Sequence, residues 1–535
     1  MATIKLFSAS FLAAIALVGY VLLYLYRQIR QHRDIKRLGG YAPKVSTKVP
    51  FGLDIVYRLF RAGQLLDDID IWHWLFSYAP YNRTVEFGIG GQRMIFTADP
   101  DNIRAVLAAQ FGDYGKGEPF HRGWKEFLGD SIFTTDGQQW SESRNLLRPL
   151  FMKTRVRDFE VFERHTDKLM SLIEGKGEEV NLSKFCTSES VLSVRPTFQP
   201  YSHRVAWTAN ALRPYNSFTL DTSTDYLLGA SVNSLGNGDN QFATHFDEVQ
   251  RVQAILAKIG DTFGLFVPRR SFHKGLDFIN NYVNLFIERV SSLNASELDT
   301  KEESYTFLHA LSRYTSSKAV MRDQLVAILL AGRDSTAVTL SFIFHELSAN
   351  PEILAKLRRE ILEKIGTHKT PSFEDIRNCN YLQKAISETL RIYPPVPYNV
   401  RLALRDTTLP RGGGLDGRQP VGIKKDTPIG YSAMLLHRNP SNYPPVSPEF
   451  PDISVFCPER WTHWTPKPWT YLPFNGGPRI CIGQEFALTE IGYTVVRMLQ
   501  RYERIDRYGT PGDMKLRSNI VLSPADGVRV GFWEG

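Results

Sequence analysis

The stretch Phe474-Asn475-Gly476-Gly477-Pro478-Arg479-Ile480-Cys481-Ile482-Gly483 decides how the rest of this chain is read. A helical pattern, Phe486 to Leu499, comes directly after it. Cys481 thus lies just ahead of a helix N-terminus and two residues after Arg479. Both features are expected to lower a thiol pKa and favour thiolate, the form that binds metal. Gly476, Gly477 and Gly483 let the backbone turn tightly and approach a flat ligand closely. Backbone N–H groups in such a loop can point at the sulfur and tune its donor strength. The pattern F-x-x-G-x-R-x-C-x-G fixes five positions. At roughly 5% usage each, chance supplies on the order of one match per ten thousand chains of this size. A structural cysteine in a glycine turn does not account for that.

The remaining cysteines, Cys186, Cys379 and Cys457, are scattered, with no C-x-x-C pair. A structural zinc site or a disulfide framework is not expected, and four isolated thiols suit a reducing compartment. The chain has 535 residues, 43% hydrophobic, with 64 Lys+Arg against 56 Asp+Glu. This is ordinary globular composition and excludes disordered and collagen-like classes. Half of the net charge of +8 lies between Arg27 and Arg37. The rest is nearly balanced, so no nucleic-acid partner is expected.

That basic cluster succeeds Leu6–Tyr26, 21 residues without a charge. As a helix they span roughly 31 Å, enough for a hydrocarbon core of about 30 Å. Residues 1–26 read as a single membrane anchor, and the charge bias places the chain beyond Arg27 in the cytoplasm. Residues 27–50 read as a basic, Pro/Gly-containing linker, and 51–535 as one catalytic domain. In it, Arg83–Thr97 suggests a strand pair turning at Gly88–Gly91. Met321–Ala349 is the longest helical candidate, apolar on most faces and therefore buried. Ser372 and Asp375 form a capping box. Helix outweighs strand.

Further motifs occur in an order that matters. Glu388-Thr389-Leu390-Arg391 places a carboxylate and a guanidinium on one helix face. Pro458-Glu459-Arg460-Trp461 and Trp140-Ser141-Glu142-Ser143-Arg144 flank it in the chain. Ala331-Gly332-Arg333-Asp334-Ser335-Thr336 puts a glycine inside the long apolar helix, at about 1 kcal/mol relative to Ala, beside an acid and hydroxyls. With the cysteine loop, these segments resemble the cytochrome P450 family, a mainly α fold with small β-sheets.

The resemblance implies a haem-thiolate monooxygenase with an N-terminal transmembrane helix, in which Cys481 is the axial ligand of haem b iron. It assigns Trp140, Arg144, Arg401 and Arg479 to the haem propionates, carboxylates that require cations. Glu388, Arg391 and Arg460 become a structural lock around the cysteine loop. Asp334 and Ser335 become the proton-relaying acid–alcohol pair, with Thr336 as a further candidate. The family usually has Thr at the position of Ser335 and often His at that of Ser143. Electrons are expected from NADPH through a reductase at the endoplasmic reticulum, with Arg460, Lys467 and Arg479 as candidate docking cations. The other partners implied are O2, a lipophilic substrate and the membrane. Further stretches, including Gly129–Phe133, Phe218–Thr222 and Pro394–Arg401, look like the fungal alkane and fatty-acid hydroxylase branch. By that analogy the pocket lies near Phe120, Trp124, Phe127, Val396, Tyr398 and Leu522. A sterol or secondary-metabolite hydroxylase, a haem-thiolate isomerase and a haem sensor are the alternatives. Residues 186–215 exceed the family's usual length and read as an insertion or an unspliced intron.

Overall fold

A computed structural model describes the chain except residues 1, 66–67, 80–83, 152–158, 183–213, 237–239, 294–305, 449, 510–513 and 519. Most of the suspected insertion thus lies outside the described residues. The chain divides into two compact units.

The first unit comprises Met1–Arg61, Asp70–Gly117 and Asn399–Ser432. Helix α1 (Ala2–Leu38) runs unbroken through both the uncharged run and the basic cluster, and exceeds the internal helix expected to be longest. From Ile15 to Tyr26 its large apolar side chains are exposed, whereas Ile35 near its end is buried. The stretch read as a linker holds these last turns and an extended segment with Ala42 and Val45 buried. Glu86 fixes that segment: its backbone pairs with Pro43 and Val45, and its carboxylate accepts from Ala42 N–H at 3.2 Å and Arg93 Nε at 3.0 Å.

Among the described residues, this unit's sheets are built from β1 (Thr84–Ile89), β2 (Gln92–Thr97), β3 (Tyr114–Gly115), β4 (Asn399–Ala403), β5 (Thr407–Gly413), β6 (Gln419–Ile423) and β7 (Pro428–Tyr431). The main sheet has the order β1-β2-β7-β4-β3, and β5 pairs with β6 in a separate hairpin. β1 and β2 turn at Gly90–Gly91, with φ of 61° and 84°, a conformation that glycine adopts without strain. Ile429 and Tyr431 of β7 are buried and β7 is central. Parallel pairing with β2 and antiparallel pairing with β4 cover its backbone on both sides.

The second unit, Ala62–Ile69, Glu118–Tyr398 and Ala433–Gly535, is mostly helical. Its principal helices are α2 (Gly117–Leu128), α3 (Gly137–Leu147), α4 (Phe159–Ser171), α5 (Pro214–Leu228), α6 (Gln241–Gly264), α7 (Arg270–Ser291), α8 (Lys318–Ala349), α9 (Pro351–Lys364), α10 (Asn380–Ile392) and α11 (Gln484–Arg501). α8 is the core helix. Ser317 caps its start through Val320 N–H, and Asn350–Pro351 ends it because proline cannot continue the hydrogen-bond ladder. Leu325, Val326, Ala327, Leu329, Val338, Leu340 and Phe342 are fully buried along it, each large side chain contributing about 1.5–3 kcal/mol. α5, α7, α10 and α11 pack around α8. The capping box of Ser372 and Asp375 forms as expected.

Candidate active site

The cysteine loop is shaped by its own backbone. Asn475 and Gly477 adopt φ of 65° and 67°, and a Cβ on Gly476 would meet the Trp469 ring at 2.7 Å. The tight turn Gly477–Arg479 then returns the chain so that Cys481 N–H donates to Phe474 O at 2.9 Å. His437 supports the approach to the loop, its Nε2 accepting from Leu472 N–H at 2.7 Å. α11 starts three residues after the cysteine.

Cys481 is solvent-accessible, yet protein atoms crowd it enough that burial pushes its thiol up. This corrects the expected lowering. The opposing influences are a hydrogen bond from the Gly483 backbone and the charge of Arg144, not Arg479. The sulfur therefore faces a recess rather than open water. Such a thiol gains its thiolate from a bound cation, which suits a metal ligand better than a free nucleophile.

Two arginines converge on Trp140, buried on α3. The Arg479 guanidinium carbon lies 4.6 Å from its ring centroid and that of Arg144 at 6.0 Å. Arg479 also donates to Thr135 O at 2.8 Å and Asp136 Oδ1 at 2.6 Å. Asp136 is the residue preceding α3, and its carboxylate serves Arg479 instead of the helix end. Arg144 donates to Ile480 O at 3.0 Å, one residue before the cysteine. Trp140, Arg144, Arg479 and Cys481 thus form one cluster. Arg401 is buried on β4 of the first unit, donating to Asn399 and Val400. Its assignment to the propionates rests on the resemblance alone. Ser143, where the family often has His, accepts from Gln324 Nε2 of α8 at 3.1 Å.

Glu388, Arg391 and Arg460 are fully buried together. Arg391 forks onto both Glu388 oxygens at 2.7 and 2.8 Å, and Arg460 Nε reaches the same carboxylate at 3.2 Å. Cys457 N–H and Trp461 Nε1 also donate to it, at 3.1 and 3.0 Å. Arg460 further holds Pro451 O, Asp452 O and Val455 O. One carboxylate thereby ties α10 to the meander that leads into the cysteine loop. Arg460 is consequently no surface cation, correcting its place among the docking residues, and Arg479 is largely covered. Lys467 is exposed.

On α8, one stripe departs from full burial. Ala331 is exposed and Ile328, Gly332 and Ser335 are half-exposed, at spacings of three and four that share a helix face. Asp334, one residue off that stripe, is buried. It accepts from Gln250 Nε2 of α6 at 2.6 Å and lies 3.6 Å from Arg333 Nε. Arg333 is in turn paired with Asp247 at 2.6 Å. Burial raises the Asp334 pKa, Arg333 opposes this, and Asp247 adds to it. No motif in the sequence marks Gln250, Asp247 or Arg333 as partners of this acid. Ser335 Oγ donates back to Ala331 O at 2.7 Å.

Of the expected pocket positions, Phe120 stacks on Trp124 at 5.4 Å and Val396 is exposed. Phe127 is fully buried edge-on to Phe246, and Leu522 lies in a core cluster with Val338 and Phe342. Those two are packing residues.

The family model described as Cytochrome P450 matches residues 77–532. The chain is 42% identical to Cytochrome P450 monooxygenase pvhE of Talaromyces variabilis, over 96% of this chain and 94% of that protein. It is 36% identical to Cytochrome P450 52A1 of Candida tropicalis (95% and 90% covered) and 34% identical to Cytochrome P450 52A4 of Candida maltosa (94% and 90%). The chain belongs to the cytochrome P450 family and is a P450 monooxygenase. Membership implies a haem, a substrate, O2 and electrons from a redox partner. The residues present fit a haem: an accessible cysteine sulfur in a recess, cations and an indole beside it, and a partly open stripe on an otherwise buried helix.

Proposed function

We propose that this chain hydroxylates an aliphatic substrate, an n-alkane or a fatty acid, at the endoplasmic-reticulum membrane, with electrons passed from NADPH by a reductase. The observation that carries the reading is the open stripe Ile328–Ala331–Gly332–Ser335 with the buried acid Asp334 directly beside it. Haem b, which Cys481 with Trp140, Arg144 and Arg479 would hold, supplies oxygen activation when bound; Arg401 is assigned to it by the resemblance alone. The protein's own part is to orient, exclude water and deliver protons. The small residues Ala331, Gly332 and Ser335 on the stripe leave room for small ligands. Burial of Asp334 favours the protonated form of its carboxyl, and Gln250 keeps that carboxyl aimed. Ser335 supplies the adjoining hydroxyl, with Thr336 as the further candidate. The stacked Phe120–Trp124 pair offers the apolar surface that a hydrocarbon chain requires. The exposed apolar face of α1 supports a single-pass anchor, with the catalytic part on the cytoplasmic side.

The test is expression in membranes with a reductase, supplied with NADPH and a medium-chain fatty acid or alkane, and product identification by mass spectrometry. A hydroxylated chain end supports the reading. A normal reduced-CO spectrum with no product from either substrate overturns the substrate assignment and leaves the family intact.

A further inference from the structure

The first unit carries an open cleft that the proposed reaction does not use. Its volume is about 870 Å³, and its charged and amide side chains are Asp101, Arg104, Gln110, Arg411 and Arg418. One wall is the short helix Pro100–Arg104 with the π-helical turn Ala105–Ala109, and the other is the hairpin of β5 and β6. Asn102, fully buried, bolts the two walls together. Its Nδ2 donates to Arg411 O and its Oδ1 accepts from Arg411 N–H, both at 2.9 Å. The cleft is therefore preformed, which spares a ligand the cost of ordering it.

The charge in the cleft is uneven. Arg411 Nε pairs with Asp101 at 2.7 Å, whereas the exposed guanidinium groups of Arg104 and Arg418 have no partner among the described residues. Three guanidinium groups thus stand against one carboxylate. The side-chain oxygen of Gln110 is also without a partner. Gln110 closes the π-helical turn, its N–H donating to Ala105 O at 2.9 Å, and such wide turns recur at functional sites. Planar guanidinium forks match phosphate oxygens, and an uncommitted amide suits the polar groups esterified to them.

The hairpin tip selects the source of that phosphate. Leu415, between Arg411 and Arg418 in the chain, is completely exposed. The turn that holds it out is closed by Gly412 N–H donating to Gly417 O at 2.8 Å. An apolar tip flanked by cations matches a bilayer surface, where acyl chains lie directly beneath phosphates. α1 ends on the same hairpin: a Cβ on Gly39 would meet Pro420 O of β6 at 2.7 Å. From Tyr26 to Leu38 the helix is roughly 18 Å long, which keeps the hairpin near the surface that an anchor defines.

We propose that this cleft binds the phosphate of an anionic phospholipid headgroup, with Arg104 and Arg418 on the phosphate oxygens and Leu415 at the acyl boundary. The nearness of the membrane rests on the anchor reading of α1, whereas the affinity for phosphate does not.

In the test, full-length holoprotein in mild detergent is incubated with equimolar phosphatidylinositol and phosphatidylcholine, and bound lipid is identified by native mass spectrometry. Phosphatidylinositol is expected to be retained severalfold over phosphatidylcholine, and R104A/R418A removes that preference. Neither arginine has a partner among the described residues, so this variant keeps the wild-type Tm and reduced-CO spectrum. R27A/R30A, which strips charge from α1 instead, keeps the preference. L415S lowers retention of phosphatidylinositol severalfold and leaves the binding of water-soluble glycerophosphoinositol unchanged. A preference that survives R104A/R418A, or that R27A/R30A abolishes, overturns the site. Glycerophosphoinositol bound as tightly as the lipid, with L415S indifferent, overturns the lipid and makes the occupant a soluble phosphate ester. Hydroxylation does not enter these readouts, and the anchor is tested separately by flotation without residues 2–26, so failure of the proposed function and failure of this site are distinguishable.

Discussion

Cys481 and Glu388 show two ways in which one residue organises many. Among the described thiols, Cys481 alone combines accessibility with the crowding of a recess, whereas Cys379 is buried and Cys457 lies against Glu459. C481A is expected to abolish both the reduced-CO thiolate band and product, read by difference spectroscopy. Glu388 accepts from two arginines, one indole and one backbone N–H. In E388Q, two buried guanidinium groups lose their counter-charge, at an expected cost of about 3–5 kcal/mol, measured by denaturant unfolding. Both residues were legible in the sequence because their spacing to local partners is short and chemically specific. The thiol's pKa direction was not. It depends on how many atoms surround the sulfur, and on Arg144, more than three hundred positions away, lying closer in effect than Arg479.

Among the elements, α8 carries the most chemistry. Its length, cap and stop come from Ser317, an apolar run and Pro351, and its burial comes from an absence of any polar face. What the sequence does not reveal is which way Asp334 points. Gln250 and Asp247 come from α6, and a pairing between helices requires the fold itself. D334N keeps the shape and still accepts from Gln250, so the haem spectrum is expected to persist. Product formation should fall by about 10²-fold, because a general acid has been removed. Measuring product and spectrum on the same preparation separates lost proton transfer from lost folding. Phe127 and Leu522 make the complementary point. Aromatic and aliphatic residues at family-like positions serve packing as readily as they serve a pocket, and residue type does not distinguish the two.

At the scale of the molecule, α1 joins two roles in one helix. Its exposed apolar part suits a bilayer, while Ile35 is buried and Asp34 pairs with Lys424 at 3.1 Å within the first unit. A Cβ on Gly422 would meet the Ile35 carbonyl oxygen at 2.3 Å, so the end of α1 is seated closely on β6. Deleting residues 2–26 is expected to release the protein from membranes with its fold retained, as judged by flotation and Tm. Replacing Ile35 by Ala should instead cost about 2–5 kcal/mol with membrane attachment unchanged.

The first unit is assembled from three stretches of chain, the last beginning at Asn399. During synthesis its first two stretches emerge early and then wait. At ~5–20 residues per second, the strands β4 to β7 that complete the sheet arrive on the order of half a minute later. Until then β2 has an open edge toward the place that β7 will fill. The nascent protein thus passes through a period in which a β-edge of the growing chain is unpaired, and protection of that edge by a chaperone bears directly on yield.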